Sequence, residues 1–137
     1  MVRWFLAVAI GAAIFEALDA FGTGSGSSLN GRPNGPLADV LLWLPVVSPG
    51  IAGFAAAWIA PPVPGLSLLA SVASVWARMG ADRFIGALHG AQLSSESGVV
   101  LVLAFGLPWS LTALIGGLVL VAVRAALSAR RRSSAAR

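Results

Sequence analysis

VVLVLAFGLPWSLTALIGGLVLVAV, residues 99–123, decides how this chain folds. The stretch carries no charge, and Arg124 closes it. As a helix rising 1.5 Å per residue it would reach about 37 Å, more than the roughly 30 Å of a bilayer's hydrocarbon core. A run of this kind reads as a transmembrane helix. The rest of the chain agrees: 58% of its 137 residues are hydrophobic, only 10% are charged, and the mean hydropathy is +0.88. A soluble domain carries about 25% charged residues and a disordered chain is more polar still, so both classes are excluded. With no cysteine, the chain has no disulfide framework, no thiolate metal site and no thiol redox chemistry.

Working outward, three further spans fit the remaining length. Trp4 to Phe21 follows a short head carrying Arg3. A basic head and twelve apolar residues also match a signal peptide, but a cut after Ala20 would place Leu18 at the −3 position, so a retained span is the better reading. Residues 22–36, GTGSGSSLNGRPNGP, read as an exposed linker; GTGSGS lacks the preceding strand and the Lys-Ser/Thr ending of a phosphate loop. Leu37 to Ala60 is the second span. Pro45 and Pro49 each remove a backbone donor within it, which predicts a kink near Ser48-Pro49-Gly50. Residues 61–65, PPVPG, form a stiff turn. Leu66 to Ala77 is too short to cross alone, so the third helix is expected to run on through Arg78, Asp82 and Arg83 to Leu88. QLSSESG, residues 92–98, is a polar loop before the last span.

The predicted fold is therefore all-α: a polytopic integral membrane protein, a four-transmembrane-helix bundle with helices near 4–21, 37–60, 66–88 and 99–123. Residues 1–129 form one membrane domain and 130–137 a basic cytoplasmic tail. All nine basic residues are arginine, against five acids, an all-arginine bias that with the Ala, Gly and Val content suggests a bacterial, GC-rich source. Arg124, Arg130, Arg131, Arg132 and Arg137 follow the last span, and cytoplasmic flanks carry the arginine excess, so the C-terminus is expected in the cytoplasm. Four spans then put the N-terminus and Arg3 there too, in the cell membrane. A tail of this kind faces anionic lipid head groups rather than nucleic acid.

Ionisable residues within spans are costly and mark candidate sites. Glu16 lies twelve residues beyond Trp4, and Arg78 twelve beyond Leu66, so both stand about 18 Å from the inner end of parallel helices. Asp19 and Arg83 also match in height, and Asp82 follows Arg78 by one turn. Glu16, Asp19, Arg78, Asp82 and Arg83 are thus predicted to cluster in the outer half of the membrane, as ion pairs joining helices one and three or as the lining of a solute site. Ala9, Ala13 and Ala20 share a stripe with Glu16 and predict a packing face buried against protein. Asp39 and the lone His89 sit at span ends; one histidine cannot make a metal site of ordinary ligand count. No metal or cofactor is expected.

Glu16 within WFLAVAIGAAIFEA is similar in place to the first-helix glutamate of small four-helix multidrug exporters. The long first loop, the neighbouring Asp19 and the charged third span depart from that pattern, and the polar track of four-helix fluoride channels is not evident. No family is assigned on these grounds. Catalytic motifs are missing: there is no G-x-S-x-G elbow and no H-E-x-x-H. The expected role is a non-enzymatic accessory or assembly subunit, a homo-oligomer or part of a larger membrane complex. The alternative is a small homo-oligomeric channel or transporter for an ion or small solute.

Overall fold

The computed structural model describes residues 1–28, 36–88 and 95–135, with side chains for 1–22, 43–85 and 103–134. It is all-α, with four helices: α1 (Val2–Ser28), α2 (Pro36–Ile59), α3 (Pro64–Leu88) and α4 (Ser95–Ala135). The linker reading of residues 29–35 and the expectations placed on His89 and on the side chain of Asp39 lie outside the described residues. Two stretches, Val2–Gly22 and Leu103–Ser134, are long and apolar enough to cross a membrane, and Trp43–Ile59 is a shorter apolar helix.

The helices alternate in direction. Arg3 reaches the carbonyl of Ile59 and Gly22 lies against Pro45, so α1 and α2 are antiparallel. Trp4 Nε1 donates to the Leu66 carbonyl at 3.1 Å and Arg78 Nε to Glu16 at 2.8 Å, the same sequence offset at two heights, so α1 and α3 run parallel without slippage. α2 and α3 touch across the middle, while among the described residues the backbones of α1 and α4 occupy far corners and do not meet. The cross-section is a rhombus with α2 and α3 on its short diagonal.

Small residues fill the centre. Ala7, Ala52, Ala56, Ala57, Ala60, Ala70 and Ala113 are fully buried, with Phe15, Pro49, Val75 and Leu120 the only larger apolar side chains in that class among the described residues. At the α2–α4 contact a Cβ on Gly53 would enter the Ala113 carbonyl, and one on Gly116 would enter the Gly50 carbonyl, so backbone lies directly on backbone. The large apolar side chains point outward: Leu111 is 63% exposed, Ile115 58% and Trp58 57%.

On α3 the buried positions Ser67, Ala70, Ser71, Ser74 and Val75 follow helical spacing and lead to Arg78. Each buried hydroxyl of this α3 stripe finds a carbonyl. Ser71 Oγ donates to Gly53 on α2 at 2.8 Å and Ser74 Oγ to Ser71 at 2.8 Å. Without such acceptors a hydroxyl in an apolar interior would be strongly unfavourable.

Several sequence expectations are corrected. α1 does not stop at Phe21 but continues through the Gly/Ser stretch to Ser28, because extending an existing helix avoids the cost of nucleation and Gly22 still packs on α2. Pro64 and Gly65 belong to the first turn of α3, where a proline's missing donor is harmless. α4 begins at Ser95, inside the expected polar loop, and the basic tail is helical to Ala135, since Ala, Leu and Arg are strong helix formers. Apart from these corrections, α2 runs as one helix through Pro45 and Pro49, a continuity compatible with the expected bend near Gly50. Pro49 cannot donate to the Pro45 carbonyl, and Ser48 Oγ does so instead at 3.2 Å.

Candidate functional site: an arginine held by three carboxylates

Arg78 extends the buried serine stripe of α3 toward α1 and α4. Its guanidinium spreads over three acids: Nε to Glu16 Oε2 at 2.8 Å, Nη2 to Asp19 Oδ2 at 2.9 Å, and Nη1 to Asp82 Oδ2 at 3.1 Å. The Phe15 ring lies 4.9 Å from the guanidinium carbon and the Trp109 ring 5.7 Å. Phe15 and Trp109 in turn meet edge to face at 5.2 Å. A guanidinium is the cation suited to this place, because its planar fork serves several carboxylates while its faces stack on rings.

Three helices build the group. α1 supplies Glu16, Asp19 and Phe15; α3 supplies Arg78 and Asp82; α4 supplies Trp109. The structure joins Glu16, Asp19, Arg78 and Asp82, all singled out from sequence, about one guanidinium. Asp19, matched by height with Arg83, reaches Arg78, and Arg83 has interactions of its own. Sequence height could not reveal the aromatic partners, since Trp109 belongs to a helix whose rotation was unknown.

Enclosure is uneven. The Arg78 side chain is 13% exposed and Asp19 18%, whereas Glu16 is 53% and Asp82 45% exposed. The cluster is sealed on the bundle side and open on the outside. Three carboxylates against one guanidinium leave a formal −2, and −1 when neighbouring Arg83 is included.

The alanine stripe around Glu16 is a correction. Ala7, Gly11 and Phe15 turn inward, while Ala9, Ala13, Ala17 and Ala20 lie with Glu16 on the exposed face of α1. Gly11 sets this rotation: a Cβ there would stand 2.8 Å from the Cβ atoms of both Ala56 and Ser74. Helix α1 therefore presents small residues on both faces, one used within the bundle and the other facing out.

At the opposite end Arg124 Nη2 donates to the Trp58 carbonyl at 2.8 Å. Arg130, Arg131 and Arg132 continue along the exposed end of α4. Among the described residues no group of three or more His, Cys, Asp or Glu side chains is arranged to hold a metal ion.

Protein-family models, curated proteins and solved structures contain no match to this chain.

Proposed function

We propose that this chain is a four-span membrane protein with both termini in the cytoplasm, acting as a non-enzymatic accessory or assembly subunit that docks through the outer face of α1. The membrane reading is supported by the inverted distribution of side-chain size. A water-soluble bundle buries its large apolar residues; here alanine, glycine and serine form the interior, and only 22% of the α1 span and 17% of the α4 span are buried. Glu16, Asp19 and Asp82 meet Arg78 in one half of the bundle, while Arg3 and the α4 arginines crowd the other end, which the positive-inside rule assigns to the cytoplasm.

One observation carries the docking role: Glu16 is half exposed beside an outward stripe of small residues. With Trp4 and Leu66 at the inner boundary, Glu16 stands about 18 Å into a core of about 30 Å, just beyond its centre. A carboxylate facing hydrocarbon at that depth is unfavourable by a few kcal/mol, and protein is the cover that removes the penalty. Ala9, Ala13 and Ala17 let another helix approach closely enough to supply it.

The transport reading draws on the same open edge, whose excess of acid suits a cation. Cysteine scanning separates the two, helped by the chain's natural lack of cysteine. Under oxidation in native membranes, Ala13→Cys is expected to form a disulfide-linked dimer, or, once its thiol carries a photo-cross-linker, a light-induced adduct with a larger membrane protein, whereas Leu111→Cys on the far side of the bundle stays monomeric. Absence of cross-linking at Ala13 in a membrane-inserted chain would refute docking and favour a lone conducting bundle. A reporter at the C-terminus tests the orientation, and a periplasmic signal would overturn it.

A further inference from the structure

We infer that the cytoplasmic end of the bundle holds a specific binding site for one anionic phospholipid head group, centred on Arg124; this rests on the membrane reading above. Two arginines converge on the C-terminus of α2. Arg3 Nε donates to the Ile59 carbonyl at 2.7 Å and Arg124 Nη2 to the Trp58 carbonyl at 2.8 Å. They satisfy end carbonyls and meet the negative end of the helix dipole.

Capping engages one of Arg124's five N–H donors. The Trp58 ring, 5.7 Å from its guanidinium carbon, holds the group in place. Among the described residues no carboxylate pairs with Arg124.

The guanidinium borders a cleft of about 300 Å³ between the start of α3 and α4. Pro62, Pro64 and Ser67 form one wall, and Val121, Arg124 and Ser128 the other. The first turn of α3 ends on this cleft, so the positive end of its dipole adds to the field of Arg124. The cleft is thus cationic at the level of Arg124 and Ser128 and apolar toward Val121. A free phosphate ion would use only the cationic part. A phosphodiester carrying acyl chains uses both: its phosphate accepts from the open Arg124 donors while its glycerol and first methylenes lie on Val121 and the proline edges. Arg130, Arg131 and Arg132 are exposed beyond the cleft and attract the same lipids without a defined seat.

The test is native mass spectrometry of the full chain released from detergent after mixing with dioleoylphosphatidylglycerol, dioleoylphosphatidylcholine or glycerol phosphate. One tightly retained phosphatidylglycerol is expected, with phosphatidylcholine held at least about tenfold more weakly. Arg124→Gln should lose that preference, whereas the triple change Arg130→Gln, Arg131→Gln and Arg132→Gln should keep it. Ser128→Trp, an exposed position that leaves the Arg124 cap intact, should also abolish retention by filling the cleft. The inference is overturned if Arg124→Gln, with unchanged helicity, retains phosphatidylglycerol like the parent. It is equally overturned if only the triple variant loses it, if both lipids bind alike, or if glycerol phosphate binds as tightly as the lipid. Release of the parent chain from membranes by alkaline carbonate would instead refute the membrane reading itself.

Discussion

Replacing Arg78 by glutamine removes the centre of the charged cluster while keeping much of the side chain's bulk. Carboxylate oxygens of Glu16, Asp19 and Asp82 lie 2.8–3.1 Å from nitrogens of one guanidinium. They therefore stand roughly 7 Å or less from one another, and without the arginine each pair repels by about 2 kcal/mol at an effective dielectric of 20. The variant also loses the contacts with Phe15 and Trp109. A buried ion pair broken from one side typically costs about 3–5 kcal/mol, and Arg78→Gln is expected in that range. Asp19 is the most enclosed of the three acids, so its coupling to Arg78 should be about 1.5–3 kcal/mol, the value of a hydrogen bond to a charged group. Asp19→Asn combined with Arg78→Gln should then be less destabilising than the two single changes added together. Reversible unfolding of the purified chain in mixed micelles, titrated with a denaturing detergent, measures all four corners of the cycle. Strictly additive effects, or an Arg78→Gln variant within about 1 kcal/mol of the parent, would show that the cluster does not hold α1 to α3.

Two glycines give a contrasting pair in the same assay. Gly116→Ala drives a methyl into the Gly50 carbonyl and should cost about 1–3 kcal/mol by separating α2 from α4, whereas Gly80→Ala meets nothing within 4 Å and should stabilise by about 0.5–1 kcal/mol through helix propensity. Equal effects at the two positions would contradict the backbone contact. Ser48→Ala should cost about 1 kcal/mol, because the Pro45 carbonyl, already without a donor from Pro49, loses its hydroxyl partner. No change in unfolding midpoint would show that the carbonyl is satisfied in another way.

The sequence by itself determined the number of helices and the common height of Glu16 and Arg78. Both follow from distance along the chain: apolar runs bounded by Gly/Pro/Ser stretches delimit α1 to α4, and a fixed rise per residue places Glu16 level with Arg78. Helix ends were less legible. The weak helix formers after Phe21 and the basic tail after Val123 read as linker and tail, yet both extend helices already anchored by packing. Rotation about each helix axis was decided only by the tertiary structure. Two small-residue stripes of α1, Ala7 with Gly11 and Ala9 with Ala13, are nearly equivalent as local sequence. The bundle chose the first because Gly11 alone admits the Cβ atoms of Ala56 and Ser74. That choice turned Phe15 inward beneath Arg78, brought Trp109 to the same guanidinium, and left Glu16 at the open edge. Height adds up along one chain, whereas facing depends on which neighbouring backbones can approach, and that is a property of all four helices together.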